Sequence, residues 1–109
     1  MISEDTIRET KFILRSELKF YWRRKRMAIL LPMIAQFTQK HVRLLIKVLK
    51  REHTVKSAIL LSSIRKEYRE VVMRNKDSPY PINVIYVQLK GWQIIYLIKL
   101  VILHAHFVI

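Results

Sequence analysis

One glycine and three prolines in 109 residues leave this chain little material for tight turns. Gly and Pro supply the backbone geometries that most turns need, so their scarcity favours a few long elements over many short strands. At the same time 51% of the residues are hydrophobic, which is too many for a disordered basic tail. The sequence therefore predicts an all-α protein, a small bundle of three to four helices that forms a single domain over residues 1–109.

The charge of the chain is strongly unbalanced, because 21 Lys and Arg face 8 Asp and Glu, for a formal net charge of +13. All the acidic residues lie within residues 1–77, whereas residues 82–109 contain only Lys90 and Lys99 as charged residues. The domain thus divides into a basic helical body, residues 1–77, and an apolar C-terminal segment, residues 82–109. Such a charge repels itself, and it favours a negative partner: nucleic acid, an anionic membrane surface or an acidic protein.

Helical periodicity predicts two helices in the first half of the chain. The first opens at a capping box of Thr6 and Glu9 and ends at the basic cluster of residues 23–26, whose charge suits a helix C-terminus. The second covers about residues 33–51, with Ile34 on its apolar face. The opposite face carries basic side chains at helical spacing: Lys40, Arg43, Lys47 and Lys50. This is the clearest amphipathic pattern in the sequence.

A third helix is predicted from about Thr54, a good N-cap residue, to Arg74. The polar residues 75–81, which include two prolines, then break the chain. The apolar segment that follows has the Val, Ile and Tyr content of strands and the length of a helix. We favour a helix, because the three preceding helices need a fourth layer to cover them. Its residues 91–109 are also long enough to cross a bilayer, so a membrane anchor is an alternative. We find no internal repeat in the sequence.

No group of residues predicts catalysis or a metal site. The chain has no cysteine, and no acidic residue lies near His104 and His106. Glu67 and Glu70 stand beside basic residues on a predicted helix, an arrangement typical of surface ion pairs. A single glycine does not form a phosphate-binding loop. The sequence therefore predicts a protein that is not an enzyme and has no metal or cofactor of its own.

An aromatic and basic cluster near the end of the first predicted helix suggests one function. Tyr21 and Trp22 directly precede four basic residues. These are Arg23, Arg24, Lys25 and Arg26. Aromatic rings beside cations can stack on unpaired bases while the cations contact phosphates, which would make the chain an RNA-binding or ribosome-associated protein. Alternatively, the rings are buried in the core and the cations merely end a helix.

Several short motifs carry a resemblance to a known family. Residues 64–69, Ile-Arg-Lys-Glu-Tyr-Arg, are followed by Arg-Asn-Lys-Asp at residues 74–77. Together they resemble the second-helix signature of the LYR-motif family, with Tyr68 where Phe is usual. Leu45-Ile46-Lys47 occupies the place of the Leu-Tyr-Arg motif, although the Tyr is lost and Lys replaces Arg. With Leu-Lys-Gly at residues 89–91, the resemblance covers roughly residues 41–100.

The resemblance implies a small basic helical protein of mitochondria, in the matrix or associated with the inner membrane. Such proteins are accessory subunits or assembly factors of complexes that include the respiratory chain, and many bind an acylated acyl carrier protein through its acyl-phosphopantetheine. Lys47, Arg65 and Arg69 match basic positions of the motifs. Arg43, Lys50 and Arg51 extend that basic face by charge alone. A non-enzymatic adaptor of this kind is our main hypothesis; RNA binding and a small membrane-anchored subunit, with residues 91–109 in contact with the membrane, are the alternatives.

Overall fold

The computed structural model describes residues 2–26, 33–80 and 82–103, apart from the side chains of residues 24–26 and 33. Within these ranges the chain forms four helices and a two-stranded antiparallel sheet. The elements in chain order are α1 (Glu4–Arg26), β1 (Met33–Phe37), α2 (Gln39–Glu52), α3 (Val55–Arg74), β2 (Ile85–Leu89) and α4 (Gly91–Leu103). The predicted fold class, a small and mainly helical domain, is confirmed. Our preference for a helix in the apolar C-terminal segment is wrong for residues 85–89, which form β2, whereas residues 91–103 form the helix α4.

The N-terminus of α1 differs from the prediction. The side chain of Ser3, directly before the helix, accepts the backbone N–H of Thr6 at 3.2 Å. Glu4 and Asp5 occupy the first turn, where negative charge interacts favourably with the helix dipole. Glu9, which was predicted to complete a capping box with Thr6, instead contacts His41 at 2.9 Å. The prediction was wrong because Ser3 and Thr6 provide the same kind of cap one turn earlier.

Residues 33–37 form a strand, where the sequence predicted the beginning of the second helix. Ala35 and Phe37 are buried, whereas Ile34 and Gln36 are exposed, which is the alternation of a half-buried strand. β1 pairs with β2 in antiparallel register, with Ala35 opposite Val87. The partner strand lies far along the chain, so the apolar pattern of residues 33–37 by itself does not disclose the pairing.

The helix starts that follow are set by local caps. Thr54 precedes α3 as predicted, and its side chain accepts the backbone N–H of Ser57 at 3.1 Å. In return the Ser57 hydroxyl accepts the backbone N–H of Thr54 at 2.8 Å. At the start of α2 the Nδ1 atom of His41 accepts the backbone N–H of Thr38 at 3.0 Å. Because Nδ1 is an acceptor there, Nε2 carries the proton and donates to Glu9.

We expect His41→Ala to lower the free energy of unfolding by about 1–2 kcal/mol, because it removes the acceptor for the Thr38 N–H and leaves space around a buried side chain. His41→Gln should lose less, because Gln93 already fills the same role in α4, where it accepts the backbone N–H of Lys90 at 2.8 Å. Urea denaturation followed by circular dichroism measures both variants. Equal losses for the two would contradict a capping role.

The core lies between the inner face of the sheet and the four helices. Each element contributes side chains that are almost fully buried. The largest of them include Leu14, Phe37, Leu45, Leu60, Ile85 and Leu97. α1 packs most extensively on α4, and α2 packs most extensively on α3. Leu14 of α1 and Ile64 of α3 are fully buried, so the helical periodicity of these two segments places an apolar face toward the core.

The fold consists of two similar halves, a repeat that the sequence analysis missed. Each half is a helix, a strand and a helix, in the order α1–β1–α2 and α3–β2–α4. Residues 61–70 reproduce the pattern of buried and exposed positions of residues 11–20 position by position. Leu-Ile-Lys at residues 45–47 of α2 recurs at residues 97–99, at the same place in α4. Because Ala35 pairs with its counterpart Val87, an approximate two-fold axis passes through the sheet.

Candidate functional site

The outer face of the sheet is exposed to solvent. We call it the ribbon face, and it consists of Ile34, Gln36, Tyr86 and Gln88. Ile34 is 55% exposed and Tyr86 is 58% exposed, so both side chains are open to solvent. Gln36 and Gln88 occupy equivalent positions in the two halves, and they pair with Tyr86 and Ile34 respectively. The ribbon face thus offers two related amides, a phenol and an aliphatic side chain.

The edge of β2 is closed by a side chain of α3. The backbone N–H of Gln88 points away from β1 and donates to Oε2 of Glu67 at 2.9 Å. Burial raises the pKa of Glu67, the hydrogen bond from Gln88 lowers it, and the neighbouring charge of Glu70 raises it again. The carboxylate satisfies an edge donor that would otherwise be open to a further strand. The sheet is therefore a two-stranded ribbon that α3 flanks at one edge.

Glu17 of α1 occupies the place in the burial repeat that Glu67 occupies in α3. Burial raises the pKa of Glu17 above its ordinary value of 4.5, so the folded protein holds this proton more tightly than the unfolded chain does. The contribution of protonated Glu17 to the free energy of unfolding is therefore fully present below pH 4.5, and it is lost as the pH rises through the folded-state pKa of Glu17.

We expect Glu17→Gln to flatten this part of the pH dependence, because Gln does not ionise. Urea denaturation at a series of pH values from acid to neutral measures the slope of the unfolding free energy against pH. The variant should lose less stability than the natural chain as the pH rises to neutrality. An unchanged slope would contradict the burial of Glu17.

A second surface lies between α2 and the N-terminus of α1. We call it the basic groove, a depression of about 560 Å³. Its basic side chains are Lys40, Arg43, Lys47 and Lys50 of α2. Ile46 of α2 and Ile2 add apolar surface, and the residues Ser3 and Thr6 line the opposite side. The groove therefore combines four cations with an apolar lining.

Four cationic side chains give the basic groove a high local positive charge. In the described ranges, two acidic side chains of α1 form ion pairs with residues other than these four cations. Glu4, Asp5 and Glu9 lie on the first turns of α1, next to the groove residues Ser3 and Thr6. Asp5 pairs with Arg8 at 3.6 Å, and Glu9 contacts His41. The groove thus remains a strongly positive surface that attracts anionic groups.

The predicted partner-binding residues are only partly brought together. Arg43, Lys47 and Lys50 line the basic groove, as the helical spacing suggested. Arg51 is exposed in the last turn of α2 and does not line the groove. Arg65 and Arg69 are exposed on α3. Arg69 lines a separate shallow depression of about 420 Å³ with Glu70, Met73 and Arg74. Ile2, Ser3 and Thr6 were missed, because their approach to α2 is a tertiary contact without a local signal.

The aromatic and basic cluster is divided by the fold. Tyr21 is half-buried and packs over Gly91, so it has the structural role that the sequence left open as an alternative. Trp22 is 45% exposed and meets the Tyr21 ring edge-on, with ring centroids 6.0 Å apart. Arg23 is exposed. The side chains of Arg24, Lys25 and Arg26 lie outside the described residues, so the described part of this predicted site is reduced to Trp22 and Arg23.

No helix in the described ranges is both long enough and apolar enough to cross a membrane. α4 has 13 residues, and residues 104–109 of the predicted anchor lie outside the described part of the chain. Comparisons with protein-family models, with curated proteins and with solved structures gave no match. Proposals about function therefore depend on the chemistry of the ribbon face and the basic groove.

Proposed function

We propose that this protein binds double-stranded DNA by placing the ribbon face in the major groove. The observation that supports the proposal is an exposed two-stranded antiparallel ribbon with an amide at equivalent positions of both strands. The major groove of B-form DNA is wide enough for such a ribbon, and β-ribbon proteins use strands to read bases there. A net charge of +13 supplies the attraction to phosphates that such binding requires.

The side chains of the ribbon face suit base recognition. A glutamine amide donates and accepts at once, so Gln36 and Gln88 can each bond to the N6 and N7 atoms of an adenine. Ile34 can contact a thymine methyl group, and the Tyr86 hydroxyl can donate to a base or to a phosphate. Lys90 directly follows β2 and is exposed, where it can meet the phosphate backbone beside the groove. The ribbon would thus read the bases, and Lys90 would help to set its register on the phosphate backbone.

Selection of binding sites from random duplex DNA tests the proposal. We expect a preferred sequence with adenines, and Gln36→Ala and Gln88→Ala should each weaken binding to it by about 1–3 kcal/mol. The dependence of affinity on salt should stay the same, because phosphate contacts determine it. Asn83→Ala is the matched control, since Asn83 is an exposed amide outside both strands. Binding without sequence preference, or preference that survives both substitutions, would contradict base reading by the ribbon.

The proposal also predicts different affinities for duplex DNA and duplex RNA. The major groove of A-form RNA is deep and narrow, so it does not admit the ribbon. We therefore expect duplex DNA to bind more tightly than duplex RNA of the same sequence at equal salt. The RNA-binding alternative predicts instead that Trp22→Ala weakens binding to single-stranded RNA by about 1–3 kcal/mol. Tighter binding of single-stranded RNA that depends on Trp22 would favour that alternative over the DNA proposal.

The acyl-carrier adaptor implied by the LYR resemblance is a second candidate. It is supported by the meeting of Arg43, Lys47 and Lys50 in one groove with apolar lining. We expect Lys47→Glu to abolish capture of a purified acylated acyl carrier protein and Lys56→Glu, on the exposed first turn of α3, to leave it intact. The adaptor also requires the acyl chain, so the unacylated carrier should bind much more weakly. Capture that Lys47→Glu does not change would contradict this use of the groove.

A further inference from the structure

The two-fold relation between the halves shows that the fold does not require the cations of the basic groove. The four positions have counterparts on the exposed side of α4. These counterparts are Trp92, Ile95, Lys99 and Ile102. Only Lys47 is matched by another cation, yet α4 has the same pattern of buried positions as α2 apart from small differences. Four like charges on one helix repel each other, so the fold alone does not account for them.

The arrangement of the basic groove matches one face of a second helix. Its cations follow one another by three, four and three residues along α2, which spreads them over about 15 Å. Acidic side chains repeated at the same spacing on an opposing helix would lie opposite them. Ile2 and Ile46 lie among the cations, and these two side chains can only be covered favourably by apolar groups. The groove thus combines charge recognition with a small apolar contact.

We infer that the basic groove binds an acidic amphipathic helix of a partner protein. A phosphate backbone would satisfy the cations, but it has no apolar side chain to cover Ile2 and Ile46. Glu4 and Asp5 lie on the adjoining first turn of α1 and repel anions there, so the acidic face of the partner helix lies over α2 and its apolar residues face Ile2. The binding mode is that of a helix in a groove, with opposite charges selecting the partner.

This interaction goes beyond DNA binding, because the ribbon face and the basic groove share no residue. It uses the groove of the acyl-carrier candidate but requires no acyl chain. A protein that holds DNA with its ribbon could therefore hold an acidic protein at α2 at the same time. The connection would recruit that protein to DNA. The two binding activities can be tested separately, and each can fail without the other.

A fluorescein-labelled synthetic helix of about 18 residues is a suitable probe, with Glu at the spacing of the four cations and Leu on the adjoining face. Its control is a peptide of the same composition with the order of Glu and Leu scrambled. Fluorescence anisotropy should show tighter binding of the patterned helix. Lys47→Glu should weaken that binding about tenfold or more, and Lys56→Glu should leave it unchanged. A second peptide carries Lys in place of the Glu that lies opposite position 47. This peptide should bind the Lys47→Glu variant more tightly than the original patterned peptide does.

Three results would overturn the inference. Equal binding of the patterned and scrambled peptides would show attraction by net charge only. Equal losses in Lys47→Glu and Lys56→Glu would show that the groove is not the binding site. Loss of duplex DNA binding in Lys47→Glu, together with displacement of the peptide by DNA, would assign the groove to phosphate contacts. Failure of the DNA proposal would be a separate result. In that case the protein would bind the patterned peptide but would show no sequence preference for duplex DNA.

Discussion

We expect Leu45→Ala and Leu97→Ala each to lower the free energy of unfolding by about 2–5 kcal/mol. Both side chains are fully buried, one in α2 and the other at the equivalent place in α4. Each substitution removes buried methyl groups and leaves a cavity that the close-packed surroundings fill only in part. Small domains are stable by about 5–15 kcal/mol, so either substitution removes a large share of the total.

Urea denaturation followed by circular dichroism measures both variants. Ile59→Ala is the control, because Ile59 is 51% exposed on α3 and should lose much less. The approximate two-fold axis leads us to expect similar losses at positions 45 and 97. A loss at one position that is no larger than that of Ile59→Ala would contradict its place in the core.

The second large effect is expected at Gly91, the first residue of α4. A Cβ atom added there would lie 2.3 Å from the Tyr21 ring, much closer than two carbon atoms can approach. The ring must therefore move, although it also packs against Trp22 and the core. We expect Gly91→Ala to lower the free energy of unfolding by about 1–3 kcal/mol. Replacing Gly with Ala inside a helix usually has the opposite effect and stabilises the protein.

A double-mutant cycle separates this contact from other effects of the substitution. Tyr21→Ala removes the ring, so Gly91→Ala should cost little or even stabilise the protein in that background. The coupling between the two substitutions should thus be large compared with its error, and the same denaturation experiment measures it. Additive losses would show that Tyr21 does not restrict position 91. The cycle also tests the packing of α1 on α4, which joins the two halves.

Local patterns in the sequence predicted much of the helical structure correctly. Thr54 caps α3, and the chain breaks after Arg74, as its polar and proline-rich continuation indicated. Leu14 and Ile64 lie on the buried faces of their helices. These features depend on residues within one or two helical turns of each other, so they can be read from short stretches of sequence.

The candidate sites were predicted less completely, because they combine residues that lie far apart in the sequence. Helical spacing alone placed Arg43, Lys47 and Lys50 on one exposed face, and the structure confirms that arrangement. The other side of the groove comes from residues before and within α1, which no local pattern connects with α2. Ile34 was assigned to the apolar face of a helix, yet it belongs to the exposed ribbon face.

The sequence by itself determined most of the helical residues, the cap of α3 and the excess of positive charge. Helical hydrogen bonds join residues four positions apart, and charge depends on composition alone, so neither needs knowledge of distant contacts. The tertiary structure decided that residues 33–37 and 85–89 are strands, because ladder hydrogen bonds join residues far apart in the chain. It also decided the two-fold arrangement, since the halves share buried positions more than amino-acid identities. Many side chains can fill equivalent buried positions, so the repeat becomes visible in the matching burial patterns and in the pairing of β1 with β2.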